Sequence, residues 1–209
     1  MIYIVTAENR HCFHHLLTDM HRQRKQVFID QLKWRLDARA GLEIDAYDSP
    51  EAIYLIEAET PHGGVSVSAR LLPTVRPHLL SEHFIDLCDA PPPVGPNVWE
   101  ATRFCPAPGT PAGAPRRRML GRMIAAIIET ALLFGIEQVT YVADAALAPM
   151  ALKAGWRARA LGDGCGQGRD KIQAFAAHID VEGLKRVRAR SLITAPLTRF
   201  APAAFARAA

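Results

Sequence analysis

An arginine on the apolar stripe of the first predicted helix constrains the fold more than any other feature. Apolar residues recur at spacings of three, four and seven between positions 13 and 28, which predicts an amphipathic helix packed on a core. Arg24 lies on that stripe, four residues after Met20 and four before Phe28. Because a guanidinium keeps its charge in a protein, it needs an anion when it is buried. The sequence therefore predicts a buried ionic site beside this helix.

Further charges follow in the same part of the chain. Three acids lie in a segment with turn residues at both ends and no lysine or arginine between them: Glu43, Asp45 and Asp48. Arg70 lies late in an alternating strand. Taken singly, each of these residues favours a structural interpretation. A lone arginine on a helix stripe usually extends its charge to water at the edge of the core, and an acidic turn is usually a solvated loop. Their occurrence together within one stretch favours a shared site.

A fourth acid and a third arginine lie in or beside the next predicted strand, which begins at Val98. Glu100 and Arg103 are three residues apart, so they would face opposite sides of a regular strand. A β-bulge must re-aim one of them if both serve one site. We therefore expect a bulge between Glu100 and Cys105.

Length and composition are typical of one globular domain. The chain has 209 residues, of which 49% are hydrophobic and 22% are charged. The longest apolar run, from Met123 to Ile136, is too short to span a bilayer and contains Glu129. No charged and apolar leader precedes the first strand, so we expect a cytoplasmic protein that is neither exported nor membrane-bound. The four cysteines are far apart and should be reduced thiols.

The charge balance raises two other kinds of partner. A net charge of +4 is compatible with nucleic-acid binding, but the basic residues fall into short groups with little aromatic interleaving, so we expect no nucleic acid. An acidic protein or a phosphate explains such patches equally well. Three histidines near position 14 lack a carboxylate or cysteine at ligand spacing, so we expect no metal.

Strand and helix patterns alternate along the chain. They predict a single α/β domain over residues 1–190, with a mixed sheet between two helical layers, and an Ala/Pro-rich tail over residues 191–209 that is poorly ordered or docked on the surface. A long helix has an apolar stripe from Leu120 to Leu132. Its start carries Arg116, Arg117 and Arg118, which suit a phosphate at a helix N-terminus or form a solvated basic surface.

The first half of the chain resembles the acyl-homoserine-lactone synthases, the LuxI-type autoinducer synthases. The resemblance is specific because it rests on many positions in order, and the second half matches more loosely. The matching features are Arg24, Val27-Phe28, Trp34, Gly41, Glu-Ile-Asp-Ala-Tyr-Asp at 43–48, Arg-Leu-Leu-Pro-Thr at 70–74, Leu79-Leu80, Phe84 and Trp-Glu-Ala-Thr-Arg-Phe at 99–104.

The resemblance implies an acetyltransferase (GNAT)-like fold and two substrates, S-adenosylmethionine and an acyl thioester on acyl carrier protein or coenzyme A. No separate cofactor is implied, because S-adenosylmethionine is consumed. Its amine would attack the thioester, and its carboxylate would then displace methylthioadenosine and close the lactone. In acetyltransferases a similar strand bulge opens a cleft for the thioester. Their R/Q-x-x-G-x-G/A pyrophosphate loop is only half matched here, because Met123 stands at its last position.

The resemblance also implies roles for particular residues. Glu100 would be the general base, Asp45, Asp48 and Trp34 would surround the sulfonium and ammonium, and Phe28 would close the pocket. Arg24 or Arg103 would hold the substrate carboxylate, and Arg70 would tie the acidic loop to the sheet through a bidentate pair. Backbone amides near Phe104 would bind the thioester oxyanion. The acyl chain would lie among Phe104, Ile124, Tyr141, Val142 and Leu152, where bulky Tyr141 favours an unsubstituted, short, branched or aromatic acyl group or merely packs in the core.

Three other functions remain open on the sequence alone. An N-acetyltransferase using acetyl-coenzyme A would need the complete pyrophosphate loop and gives no reason for Asp45 and Asp48. A basic, non-enzymatic binding module would show salt-sensitive binding and no small-molecule pocket. A methyltransferase is disfavoured because no glycine-rich turn follows the first strand.

Overall fold

One mixed β-sheet organises the computed structural model, which describes residues 1–200 without the side chain of Arg169. Its eight strands lie in the order β6-β7-β5-β4-β3-β2-β1-β8. The strands are β1 (Ile2–Val5), β2 (Ile53–Thr60), β3 (Gly63–Pro73), β4 (Val98–Pro106), β5 (Gln138–Asp144), β6 (Ala158–Ala160), β7 (Ile172–His178) and β8 (Thr198–Arg199).

Five α-helices cover the two faces of the sheet. They are α1 (His14–Arg24), α2 (Leu79–Glu82), α3 (Ala114–Leu133), α4 (Leu147–Lys153) and α5 (Val181–Ser191). Helix α1 continues as a π-helix over Lys25–Gln31, and short 3-10 turns span Arg10–Cys12, Ile85–Leu87 and Gly168–Asp170. None of these helices, over the residues described, is long and apolar enough to cross a membrane.

The alternation of side chains along the strands builds a separate core on each face. Ile4, Leu55 and Leu71 pack with α3 in the larger core, whereas Tyr54 and Ile56 pack with α1 in the smaller one. Helices α4 and α5 join α3, and α2 lies on the same side as α1. The three-layer, mixed-sheet fold that the sequence predicts is therefore confirmed.

The sheet opens beside its centre. The pairs β1–β2, β2–β3 and β3–β4 are antiparallel, and β4 then pairs parallel to β5. The β4–β5 pairing ends at Ala101 and Tyr141, after which β4 continues only along β3 and β5 only along β7. We call the region between these unpaired strand ends the cleft.

Part of the predicted C-terminal tail packs on the domain. Thr198 and Arg199 pair parallel to β1, and Leu197 is buried in the larger core. The carboxylate of Glu129, in the C-terminal half of α3, accepts hydrogen bonds from the backbone N–H groups of Leu197 and Thr198. A two-residue strand has no periodicity to detect, so the sequence pattern gave no sign of β8. Residues 201–209 of the predicted tail lie outside the described part.

Candidate active site

A bulge in β4 brings the site together. Thr102 pairs with Arg70 and Cys105 with Ser68, so Arg103 and Phe104 both lie opposite the single residue Ala69. Arg103 has a positive φ of 53°, which some bulges adopt and a regular strand does not allow. As a result, Arg103 reaches the α1 face of the sheet while Phe104 packs on the α3 core. The expected bulge between Glu100 and Cys105 is confirmed.

Three arginines and three carboxylates form a closed ring of ion pairs on the α1 face. Each arginine donates hydrogen bonds to two of the carboxylates, and each carboxylate accepts hydrogen bonds from two of the arginines, so that the formal charges cancel. A longer ion pair of 3.8 Å joins Arg24 to Asp45. In order around the ring, the residues are Arg24, Glu43, Arg103, Asp45, Arg70 and Asp48. We call this set the charge ring.

One side of the charge ring is sealed inside the protein. Asp48 accepts hydrogen bonds of 2.8 Å from Arg24, 2.8 Å from Arg70 and 2.9 Å from the hydroxyl of Tyr54. Burial alone would raise the pKa of Asp48, but the hydrogen bonds and charge of Arg24, with the charge of Arg70, hold it well below its usual range. The side chains of Arg24 and Asp48 are 1% and 2% exposed. Both side chains are thus turned away from solvent in this arrangement, and their expected contacts with the substrate stay a prediction.

The other side of the charge ring reaches the surface. The carboxylate of Asp45, with its side chain 17% exposed, accepts the expected bidentate pair from Arg70 at 2.6 and 3.0 Å. Arg103 donates through Nη2 to Asp45 over 2.6 Å and to Glu43 over 3.1 Å. The Nε of Arg103 is buried and has no hydrogen-bond partner among the described residues. Asp45 and Arg103 are therefore the ring members placed to meet a ligand.

An aromatic pair and a cavity adjoin the exposed side. The rings of Phe28 and Trp34 stack at 4.8 Å with their planes 5° apart, and the guanidinium carbon of Arg103 lies 5.7 Å from the centre of the Phe28 ring. Trp34 is half exposed, so the outer face of the pair is open. A cavity of about 580 Å³ lies against the loop that carries Glu43 and Asp45, within the range of small-molecule sites.

Glu100 lies on the same face of β4 as Thr102, whose hydroxyl accepts a hydrogen bond from Nε of Arg70. The Glu100 carboxylate is buried and accepts hydrogen bonds of 2.9 and 3.0 Å from the backbone N–H groups of Leu79 and Leu80. Burial raises the pKa of Glu100 to about 7, although these N–H groups and the nearby arginines oppose the rise. Glu100 thus exchanges a proton near neutral pH.

Some residues of the site were missed or left without a role by sequence reasoning. Glu43 was noticed as an acid but given no role, although it links Arg24 to Arg103. His21 holds the same segment, because its Nδ1 donates to the backbone carbonyl of Glu43 over 2.9 Å. Tyr54 reaches Asp48 from β2. In the sequence, His21 and Tyr54 each place a polar group within an otherwise apolar pattern, and that pattern could have identified them.

The proposed acyl-chain residues do not all meet. Phe104, Ile124 and Tyr141 belong to the α3 core. Val142 follows Tyr141 directly, so it faces the opposite side of the sheet and packs near Leu80 and Leu87. Leu152 is 42% exposed on α4. Strand alternation and surface exposure thus separate Val142 and Leu152 from the other three.

The basic turn at the start of α3 is open to solvent. Arg116, Arg117 and Arg118 are all exposed. Gly121, part of the half-matched pyrophosphate motif, lies inside the helix, where an added Cβ would stand 2.2 Å from the hydroxyl of Ser191. Close packing of α3 on α5 explains this glycine without a phosphate. No group of three or more potential metal ligands occurs in the part of the chain that the structure describes.

Solved structures share this fold. A CoA-dependent acyl-homoserine lactone synthase, BjaI, solved with SAM and isopentyl-CoA, superposes with a TM-score of 0.86 at 27% identity, covering 100% of this chain and 98% of that one. An acyl-CoA N-acyltransferase from Pseudomonas aeruginosa shares only the fold, with a TM-score of 0.53 at 15% identity over 86% of this chain and 99% of the other. The fold is thus acetyltransferase-like.

Sequence comparison gives the family. Residues 9–187 match the family described as autoinducer synthase. The chain is 32% identical to an acyl-homoserine-lactone synthase of Rhizobium etli, over 75% of this chain and 74% of the relative. It is 30% identical to the isovaleryl-homoserine lactone synthase of Bradyrhizobium diazoefficiens, over 78% and 72%. The chain therefore belongs to the autoinducer synthase family, and the curated relatives named here are acyl-homoserine-lactone synthases.

Proposed function

We propose that this chain is an acyltransferase that makes an acyl-homoserine lactone from S-adenosylmethionine and a short-chain acyl thioester. The observation that carries the proposal is the meeting of two features at the bulge of β4. One is the exposed side of the charge ring, with Asp45 and Arg103, and the other is the cleft where β4 and β5 diverge. A cationic, zwitterionic substrate suits the first feature, and an acyl chain suits the second.

The cavity beside Asp45 receives S-adenosylmethionine. The open carboxylate edge of Asp45 attracts the ammonium and sulfonium, and the stacked face of Trp34 on Phe28 adds a cation–π attraction of about 0.5 to 2 kcal/mol. Arg103 rather than Arg24 binds the substrate carboxylate, since Arg103 has an unpartnered Nε among the described groups and Arg24 is sealed. Asp48 and Arg70 lie on the buried side of the charge ring, where they hold Asp45 in position.

In the first step the substrate amine attacks the thioester carbonyl. Glu100 takes the proton that the amine must lose, and its pKa near 7 suits this role at neutral pH. Because Glu100 is 1% exposed, the amine or one bridging water must reach it along the cleft beside β4. Backbone N–H groups at the bulge near Phe104 stabilise the oxyanion. Collapse of the tetrahedral intermediate forms the amide and releases the carrier thiol.

In the second step the substrate carboxylate attacks its own γ-carbon. The new C–O bond closes the lactone, and the electron pair of the broken C–S bond neutralises the sulfonium as methylthioadenosine. Arg103 aims the carboxylate, and positioning contributes more than binding strength to such an intramolecular step. Neither step needs an oxidant, a metal or a further cofactor.

Coenzyme A is the proposed carrier of the acyl group. The support is the likeness to a CoA-dependent synthase crystallised with isopentyl-CoA and to an isovaleryl-homoserine lactone synthase. The exposed arginines at 116–118 offer a site for carrier phosphates at the positive end of α3. Acyl carrier protein, which is acidic, would meet the same surface. The reaction is assigned to the cytoplasm, where both substrates occur.

An assay of the purified protein tests the proposal. S-adenosylmethionine is incubated with isovaleryl-, butanoyl- or acetyl-CoA, and with the matching acyl carrier proteins, and lactone and methylthioadenosine are measured by mass spectrometry. We expect equal amounts of the two products, and a much lower rate for Glu100→Gln. Acetylation of other amines without methylthioadenosine would instead identify an N-acetyltransferase. Absence of both products with every donor would refute the synthase.

A further inference from the structure

Tyr47 lies between the charge ring and helix α2. Its backbone N–H donates to Oδ1 of Asp45 over 2.9 Å. The guanidinium carbon of Arg70 lies 5.9 Å from the centre of the Tyr47 ring, within the range of a cation–π contact. Because Arg70 and Asp45 form a bidentate pair within the charge ring, these two contacts fix one side of Tyr47 against the charge ring.

The hydroxyl of Tyr47 meets the C-terminal end of α2. It donates to the carboxylate of Glu82, the last residue of that helix. Burial, then the hydrogen bond and charge of Glu82, raise the pKa of Tyr47, so the hydroxyl keeps its proton. Because that single proton goes to Glu82, Nε2 of His83, 2.9 Å away, is the donor in the second contact. Tyr47 is thus tied to α2 on its other side.

The N-terminal end of α2 holds Glu100. The backbone N–H groups of Leu79 and Leu80 donate to its carboxylate. Since α2 has only four residues, its two ends are one turn apart. A single turn of helix has little stability of its own, so the contacts of Tyr47 at one end help to keep the N–H donors in place at the other. A chain of contacts therefore runs from the charge ring, through Tyr47 and α2, to Glu100.

The place of the Tyr47 hydroxyl suits a functional role better than a stabilising one. Glu82 and His83 are exposed, and exposed polar pairs contribute little to stability. The ring of Tyr47 packs against the smaller core, and it needs no hydroxyl to do so. The hydroxyl instead joins the group that would bind the substrate cation to the group that would take the substrate proton.

We infer that Tyr47 is a positioning residue that couples the substrate site at the charge ring to the general base, by holding the N-terminal N–H groups of α2 on Glu100. This inference rests on the proposed synthase function and adds a residue to its machinery. In this role Tyr47 acts through the helix and not on the reacting atoms. When S-adenosylmethionine binds Asp45, the same chain of contacts keeps Glu100 where the substrate amine can reach it.

The pKa of Glu100 should respond to this coupling. Burial raises that pKa and the two N–H groups of α2 lower it, so weaker donation from α2 would raise it further. Arg70 of β3 and Arg103 of β4 also lower it, and neither depends on the Tyr47 hydroxyl. The titratable groups of α2 that Tyr47 contacts are Glu82 and His83. Loss of the negative charge of Glu82 would itself lower the pKa of Glu100, so a rise reports the lost contact.

Tyr47→Phe tests the inference, because it removes the hydroxyl and keeps the ring beside Arg70. Lactone formation from S-adenosylmethionine and the acyl-CoA that reacts fastest is measured across the neutral and alkaline range. We expect the pH of half-maximal kcat/KM to rise by about 0.5 to 1 pH unit, which lowers kcat/KM at pH 7 about 2- to 5-fold. At higher pH the loss should disappear, and the Kd for S-adenosylmethionine and the melting temperature should stay close to those of the parent. Tyr3→Phe, which removes a buried hydroxyl from β1, is the control and should keep the pH profile.

A double variant of α2 tests the route. Glu82→Ala combined with His83→Ala removes both partners of the Tyr47 hydroxyl, so it should raise the pH of half-maximal kcat/KM as Tyr47→Phe does. Adding Tyr47→Phe should then cause little further change, because all three substitutions remove the same contacts. If the two rises add, the hydroxyl does not act through α2, and the inference is wrong.

The outcomes separate this inference from the synthase function. A parental pH profile in Tyr47→Phe would overturn the inference while lactone formation still supports the synthase. An equal loss of rate at every pH, together with a lower melting temperature, would also overturn it, because the hydroxyl would then be structural. If the parent forms no lactone or methylthioadenosine from any donor, the synthase itself fails, and this inference fails with it.

Discussion

The two faces of the sheet treat their buried polar groups differently. On the α1 face, the six members of the charge ring are paired with one another before any substrate arrives. On the α3 face, Tyr141 and Trp156 keep polar atoms unpaired in the described structure. Ion pairs in such a ring cost desolvation energy, so their benefit is a fixed arrangement more than stability.

The difference matches the two substrates proposed for the enzyme. S-adenosylmethionine has one structure, and a rigid, fully formed charge ring suits a ligand that never varies. The acyl donor would lie on the α3 face, where the neutral, stacked rings of Tyr141, Trp156 and Phe175 are buried in place of ion pairs.

The largest effect should come from opening the charge ring on its sealed side. Arg24→Met leaves Glu43 and Asp48 each without one buried partner, so we expect the free energy of unfolding to fall by about 3 to 5 kcal/mol. Chemical denaturation measures this change. Arg22→Met is the matched control: its side chain is 52% exposed, so the variant should stay within about 0.5 kcal/mol of the parent.

A double variant shows whether the ring acts as a unit. Arg24→Met combined with Glu43→Met removes one of the two stranded carboxylates, so the combined loss should be smaller than the sum of the single losses. If the stability loss of the double variant equals the sum of the two single losses, the residues do not form a closed network. A small loss in Arg24→Met alone would show that water or rearrangement replaces the missing guanidinium.

Glu100→Gln should have the next largest effect. Loss of a general base lowers turnover by about 10²- to 10⁴-fold, while affinity for S-adenosylmethionine stays close to that of the parent. Because the pKa of Glu100 is raised to about 7, the carboxyl is protonated below that pH and cannot accept a proton. The parent kcat/KM should therefore rise with pH through about 7, and the variant should lack that rise.

Exposed Glu51 provides the control for this prediction, since Glu51→Gln should keep both the rate and the pH profile. If Glu100→Gln keeps the pH profile of the parent, the titration near pH 7 belongs to another group. If the variant is also slower than the parent, Glu100 acts only by fixing the start of α2.

The sequence predicted which residues belong to the site better than it predicted the contacts between them. A charge on an apolar stripe identified Arg24, and the odd spacing of Glu100 and Arg103 predicted the bulge. Periodicity states which face a residue occupies, but not which atoms it meets there. The sealing of Asp48 depends on contacts with Arg24 of α1, Tyr54 of β2 and Arg70 of β3, at sequence separations of 24, 6 and 22 residues that no local pattern encodes.

The acyl side shows the same limit. Tyr141 and Val142 are neighbours in sequence, and strand alternation alone places them on opposite faces, which the predicted pocket overlooked. The stacking of Tyr141 on Trp156 joins β5 to the turn after α4, and no local pattern encodes that contact. Strand β8 was missed because its pairing with β1 joins the two ends of the described chain.

A smaller effect is expected from the exposed side of the charge ring. Asp45→Asn weakens charge-assisted hydrogen bonds to Arg70 and Arg103 and removes the charge facing the cavity, so the Kd for S-adenosylmethionine should rise about 10- to 100-fold. Titration calorimetry measures it. Asp48→Asn, on the sealed side, should instead reduce stability more than affinity. Equal affinity losses in the two variants would mean that the sealed and exposed sides do not differ.

The smallest effect should come from Trp34, which stacks on Phe28 at the open edge of the site. A cation–π contact contributes about 0.5 to 2 kcal/mol, so Trp34→Leu should raise the Kd for S-adenosylmethionine about 2- to 30-fold. S-adenosylhomocysteine is the matched control ligand because its sulfur is uncharged, and its Kd should change less in the variant. If both ligands lose affinity equally, Trp34 contributes apolar contact alone, and recognition of the sulfonium charge belongs to the acids of the charge ring.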